Sequence, residues 1–367
     1  MRLEGIDLLR GIAVSVVIFY HFSVILGLTD APIFQYIYAL GLLGVPLFFI
    51  ISGYLIYRSI DYSISSKGTK VGLMHYAYHR LFRILPAYYF NFAIVLIMAT
   101  FVISVDYLYS LGFVRQIIAH LTFLSFFMYR DSGLGINGAY WTLSIEMLWY
   151  IVAPLFFIYI KKDRYLVLLF ILSFLYLTGI DFSLYDSIFN LDKQASDYLP
   201  LLFYISFQLP GQLIYFIAGI FIYKHFNTQR SLSLSAQYIL SILSISFFVY
   251  VSNQNYFQTS FAIRNFFILF TVVVLFILMH QSKLKWMRGL EWIGKISYSL
   301  YLWHMPILYT MKQTDILTHL NLWLVMIVFS ISLLVISSLS YYFIEEGGFH
   351  LRRKFEQRIG SKNIDAK

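Results

Sequence analysis

The chain has 367 residues, 60% of them hydrophobic and only 12% charged, with a mean hydropathy of +0.73 and a formal net charge of +9. Soluble domains carry about 25% charged residues, so this composition excludes a soluble globular protein and makes the lipid bilayer the first partner. The positive balance reads as membrane topology and not as nucleic-acid binding, and the absence of cysteine excludes disulfides, a thiol nucleophile and thiolate metal sites.

The amino terminus, "MRLEGIDLLRG", mixes Arg2, Glu4, Asp7 and Arg10. It leads into an apolar run from Gly11 to Leu28 with no small-residue cleavage site after it, so a retained helix is expected rather than a signal peptide. Spanning segments are predicted at about 8–28, 36–57, 84–104, 140–160, 165–181, 209–223, 236–252, 261–280, 292–311 and 320–343. Residues 114–129 read as an additional re-entrant or interfacial helix. The expected fold is all-α, a polytopic membrane bundle of about ten transmembrane helices without internal repeat. It divides into a transmembrane domain over 1–345 and a basic cytoplasmic tail over 346–367.

With the amino terminus in the cytoplasm, the inner segments 1–10, 58–83, 161–164, 224–230, 283–288 and 352–367 hold 21 of the 27 Lys and Arg. The outer loop 181–208 carries Asp181, Asp186, Asp192 and Asp197 against one Lys193. This asymmetry satisfies the positive-inside rule with both termini inside.

Ionisable groups inside apolar spans are costly unless they face the bundle interior and pair. His21, in "FYHFS", lies about 20 Å from the inner edge, His304, in "SYSLYLWHMP", about 18 Å, and Glu146, in "YWTLSIEMLWY", about 21 Å. Three groups from distant spans thus share one expected depth. Each is read either as an interhelical hydrogen bond or as part of a reaction centre in which a carboxylate and an imidazole cooperate. Pro306 removes the helical donor of the Leu302 carbonyl, so a kink beside His304 is expected. In "GLLGVPLFFIISGYLI", Gly41, Gly44, Pro46, Ser52 and Gly53 permit close helix packing or a break. Arg80 and Arg83, in "HYAYHRLFRILPAYY", share a helix face and fit either phosphate binding or plain positive-inside anchoring. His75 and His79 have i, i+4 spacing, but no "HExxH" pattern accompanies them and no metal site is expected. The chain has no "GxSxG" elbow, P-loop or Rossmann fingerprint, which removes support for hydrolase, NTPase and dehydrogenase readings.

Taken together, "IDLLRGIAVSVVIFYH", "GVPLFFIISGYLI", "RLFRILPAYY", "WTLSIEMLWY" and "ISYSLYLWHMPI" resemble, in order, the conserved blocks of the acyltransferase-3 family of membrane O-acyltransferases. The resemblance runs from Asp7 to about Glu345. The chain departs from it in reading "DLLRG" where the family often has "DGLRG", and "FIEEGGF" where the family often has an Ile-Glu-Arg-Pro pattern. Some members carry an additional esterase-like domain, and none is expected after the last span here.

The resemblance implies acetyl-CoA, or another acyl-CoA, as donor substrate and a carbohydrate hydroxyl, free or lipid-linked, as acceptor. It implies the cell (inner) membrane as location, His21 as the essential histidine, and Arg10, Arg80 and Arg83 as donor-binding residues. On this reading His21 is the general base, with Glu146 and His304 as further catalytic candidates and no metal. The CoA phosphates would stay at the inner edge while the pantetheine arm reaches His21. The alternatives are a secondary transporter, which intramembrane His and Glu would suit but the missing repeat does not, and a non-catalytic membrane partner in polysaccharide assembly.

Overall fold

The computed structural model describes residues 4–28, 36, 40–100, 110–128, 136–181, 204–226, 232–252, 261–281, 288–314 and 320–353. Among them the regular structure is entirely helical: α1 (Glu4–Ile25), α2 (Gly44–Lys67), α3 (Thr69–Ala99), α4 (Leu111–Leu121), a 3-10 turn (Ser125–Phe127), α5 (Tyr140–Tyr159), α6 (Asp163–Asp181), α7 (Leu209–His225), α8 (Leu234–Ser252), α9 (Phe261–Gln281), α10 (Arg288–Lys295), α11 (Ser297–Gln313), α12 (Leu322–Ser340) and a π-helical turn (Tyr341–Glu345). Residues 346–353 continue as helix. The acidic loop after Asp181, including Ser196, and the tail beyond residue 353 lie outside the described residues.

Among the described residues, six segments are long and apolar enough to cross a membrane: Gly5–Ile25, Thr69–Ala99, Tyr140–Tyr159, Tyr204–His225, Ala262–Met279 and Leu322–Arg353. The other predicted spans coincide with α2, α6, α8 and α11 but do not meet that measure, α8 being short and the last predicted span but one being divided. The segment read as 292–311 is two helices, α10 and α11, parted at Ile296. Its proline does not end the helix: α11 continues through Pro306, and the Thr310 hydroxyl donates to the Pro306 carbonyl at 2.9 Å. Where an additional helix was predicted over 114–129, α4 covers Leu111–Leu121 and the 3-10 turn follows at Ser125–Phe127.

The chain forms two compact units. The first comprises residues 1–58 and 122–297. In it α2 and α7 meet through reciprocal glycines: a Cβ on Gly53 would strike the Phe216 carbonyl, and one on Gly219 the Ile50 carbonyl. Small residues at such a crossing let two backbones touch, which is how helices gain dispersion energy where lipid supplies no hydrophobic drive. The aromatic rings of Phe49 and Trp149 then close on Phe216, each at 4.7 Å between centroids. α10 crosses α1 in the same way, with Gly11 against the Leu290 carbonyl and Gly294 against the Asp7 carbonyl. Ser173 of α6 bridges the first turn of α7, donating to the Pro210 carbonyl at 2.5 Å and accepting from the Ile214 N–H at 3.2 Å. At the other end of the same pair, Asp163 receives Lys224 and lies 2.9 Å from His225 Nε2. The Lys224 ammonium beside Asp163 holds its carboxyl below the usual carboxylate range.

The second unit comprises residues 59–121 and 298–367. Adjacent tyrosines on α3 satisfy the otherwise orphaned last-turn carbonyls of α4: Tyr88 donates to His120 and Tyr89 to Leu121, both at 2.9 Å. Tyr298 of α11 donates to the Ile84 carbonyl of α3 at 3.1 Å. Ser299, one residue on, donates to Glu345 at 2.5 Å, so the π-helical turn is tied to α11 by a buried carboxylate.

Candidate active site

His21 stands on α1, and its Nδ1 lies 3.1 Å from the Val17 carbonyl one turn back. A helical side chain leans toward the preceding turn, so a histidine four residues on reaches that carbonyl without distortion. A carbonyl oxygen can only accept, so Nδ1 carries the hydrogen, and in the neutral ring Nε2 is the acceptor nitrogen. Tyr20 packs edge-on against the ring at 5.0 Å between centroids. His21 is half-buried.

His304 repeats the arrangement on α11, with Nδ1 2.7 Å from the Tyr301 carbonyl. It is fully buried, at 0% exposure. The two histidines fall in different units. His304 is seven residues from the start of α11, or about 10 Å along it, because the helix begins at Ser297 and not near 292.

Glu146 is half-buried on α5, and Oε1 accepts from the Ser52 hydroxyl of α2 at 2.9 Å and from the Tyr150 hydroxyl at 2.6 Å. It holds hydroxyl groups, while the orientation of each histidine is supplied by a carbonyl of its own helix. Tyr150 was not singled out in the sequence, and Ser52 was read there only as a residue permitting close packing or a break of its helix. The tyrosine is legible in retrospect as the i+4 neighbour of Glu146, whereas Ser52 is joined to it only by the packing of α2 on α5.

Of the predicted donor-binding residues, Arg10 lies 3.7 Å from Asp7 on the same helix face. Arg80 and Arg83 are both half-buried on α3, and the Arg80 guanidinium sits over the Tyr76 ring at 5.9 Å. His75 and His79 stack at 4.4 Å between centroids, with the Ser63 hydroxyl 3.3 Å from His75 Nδ1 and Arg352 Nη1 3.1 Å from His79 Nδ1. No group of three or more His, Asp or Glu able to hold a metal occurs among the described residues. Arg352 was not among the residues read from the sequence as functional.

Apolar helices of spanning length, carrying imidazole and carboxylate side chains within them, define a multi-pass membrane protein with a polar interior. The chain belongs to the acyltransferase-3 family, whose model, described as an acyltransferase domain, matches residues 3–342. Similar proteins are the O-acetyltransferase OatA of Staphylococcus aureus strain NCTC 8325 / PS 47 and that of strain COL. Each is 28% identical over a 382-residue alignment that covers 94% of this chain and 56% of the relative. The chain thus spans a little over half the length of these relatives. No solved structure matches it.

Proposed function

We propose that the protein is a membrane O-acetyltransferase that moves an acetyl group from acetyl-CoA to a hydroxyl of a cell-surface glycan. In this reading it lies in the cell (inner) membrane with about ten spans and both termini in the cytoplasm. Family membership and relatives named as O-acetyltransferases support the reaction class.

The observation that carries the mechanism is the contact between His21 Nδ1 and the Val17 carbonyl. It leaves Nε2 as the basic nitrogen of a ring that cannot turn without losing a hydrogen bond. His304 has the same tautomer, but it is fully buried while His21 is half-buried. A base must reach a substrate proton within hydrogen-bond distance, which favours His21. The acceptor oxygen attacks the thioester carbonyl carbon as its proton passes to His21 Nε2. The carbon–sulfur bond then breaks, and the imidazolium returns the proton to the CoA sulfur. Arg80 and Arg83 take the donor phosphates, and Arg10, paired with Asp7, is a further donor-binding cation. Glu146 keeps α2 and α5 in register through Ser52.

The test is acetyl transfer from labelled acetyl-CoA to glycan acceptors by the purified protein in nanodiscs. His21→Ala is expected to lower turnover at least about a hundredfold, the scale of general-base catalysis, with CoA binding retained. Near-normal turnover by His21→Ala would remove the assignment and move it to His304.

A further inference from the structure

We propose that Trp303, Ser337 and Ser340 form the seat of the pantetheine arm of the acyl-CoA donor and hydrogen-bond its amide groups within the second unit. The proposal rests on the acyl-CoA reading above and names the residues that hold the donor beyond its phosphates.

The indole Nε1 of Trp303 and the hydroxyls of Ser337 and Ser340 have no hydrogen-bond partner among the described residues. The three residues are only 7%, 0% and 4% exposed. A buried polar group left unsatisfied costs free energy, and each such group in a folded protein calls for an explanation. A serine on a helix readily bonds back to the preceding turn. Ser338 does so, donating to the Leu334 carbonyl at 2.6 Å. Ser337 and Ser340, on the buried side, do not. The buried stripe of α12 runs through Val325, Phe329 and Leu333 and turns polar at Ser337 and Ser340, which are three residues apart and share a face.

The bond from Ser299 to Glu345 joins the start of α11 to the π-helical turn that follows α12, so the two helices run antiparallel. Counted from that bond, Trp303 is four residues along α11 and Ser340 five residues back toward α12, each about one turn away. Ser337 follows three residues further along the same face. The stretch between Ser340 and Glu345 is the π-helical turn itself, a geometry frequent at functional sites. Contacts with α3 give the level relative to the arginines: Tyr298 donates to the Ile84 carbonyl, next to Arg83, and the Trp303 ring meets Phe90 edge-on at 6.3 Å between centroids. Phe90 is seven residues beyond Arg83, about 10 Å along the helix. A donor whose phosphates rest at Arg80 and Arg83 and whose arm rises along α3 therefore brings that arm to the level of Trp303. Pantetheine is slender and carries amides between the phosphates and the sulfur. The indole N–H only donates and takes an amide carbonyl, whereas a serine hydroxyl meets either a carbonyl or an N–H.

The experiment uses the full chain in phosphatidylcholine nanodiscs. It measures the dissociation constants of CoA and of adenosine 3′,5′-bisphosphate, which keeps phosphates but lacks the arm, and the thermal midpoint without ligand. Ser337→Ala combined with Ser340→Ala is expected to weaken CoA binding about tenfold, the effect of two lost neutral hydrogen bonds, and to leave bisphosphate binding unchanged. Its unliganded midpoint is expected to stay level or rise, because two unsatisfied hydroxyls are removed. Trp303→Phe, which keeps a ring against Phe90 and loses the N–H, is expected to weaken CoA binding severalfold with the same selectivity. Unchanged CoA affinity in both variants overturns the proposal and is the result if water alone meets these groups. An equal loss of bisphosphate affinity, or a lowered midpoint of the serine variant, also overturns it by marking these side chains as structural. Absence of CoA binding by the wild-type protein would overturn the donor reading itself, a result distinct from wild-type binding that the variants leave intact.

Discussion

At the scale of single residues, His21 and His304 show how a helix sets a tautomer through its own backbone carbonyls. Each ring leans back over the preceding turn and gives its Nδ1 hydrogen to a carbonyl, from Val17 in one case and Tyr301 in the other. Glu146 accepts from Ser52 of another helix and from Tyr150 one turn on along its own. Removing its side chain would strand two hydroxyls in a weakly polar interior. Glu146→Ala should therefore destabilise the protein by about 2–6 kcal/mol, taking about 1–3 kcal/mol for each unsatisfied group. Glu146→Gln, which keeps a carbonyl oxygen at the same place, should cost less than about 1 kcal/mol. Thermal unfolding of both variants in detergent checks this. Equal losses would show that the negative charge matters and not the acceptor oxygen.

At the scale of elements, contact between helices is made by glycine and regulated by a few polar links. α10 lies on α1 because neither Gly11 nor Gly294 presents a Cβ to the carbonyl opposite. Gly294→Ala must push α10 away from Asp7, and overpacking of this kind costs about 1–3 kcal/mol. A lowered unfolding midpoint for that variant is expected, with Gly289→Ala, at a position open on every side, as the silent control. The link between α6 and α7 depends on pH. The Lys224 ammonium lowers the folded-state titration of Asp163 below its ordinary value. Its contribution is therefore complete above the ordinary carboxylate range and is lost as pH falls through the depressed value. Asp163→Asn should lower the thermal midpoint at neutral pH, and the gap from wild type should close as the pH is taken below about 4. A gap that stays constant with pH would exclude the ionic link.

At the scale of the whole molecule, the distribution of charge sets the topology. With 21 of 27 basic residues on the segments assigned to the cytoplasm, a cysteine placed at Ser196 of this cysteine-free chain should react with an impermeant thiol reagent added outside intact cells. One placed at Ser66, exposed near the end of α2, should not. Labelling in the opposite sense would invert the orientation and with it the side from which the donor enters.

Membrane location, helical class, positive-inside bias and the order of the family blocks were legible in the amino-acid sequence, because each follows from composition or from spacing along one chain. The candidates His21 on α1 and Arg80 and Arg83 on α3 stood out for the same reason, each being a local pattern within its own helix. Three things were not. The division of the 292–311 segment into α10 and α11 follows from the close seat of Gly294 on α1, a contact with a residue nearly three hundred positions away. The engagement of Glu146 by Ser52 depends on how α2 lies against α5. The approach of Arg352 to His79 depends on Gly348 fitting closely against the Phe82 carbonyl of α3. Periodicity reports which face of a helix is apolar, but only packing decides which residue of another helix meets it, since that choice is made by steric fit between backbones distant in sequence.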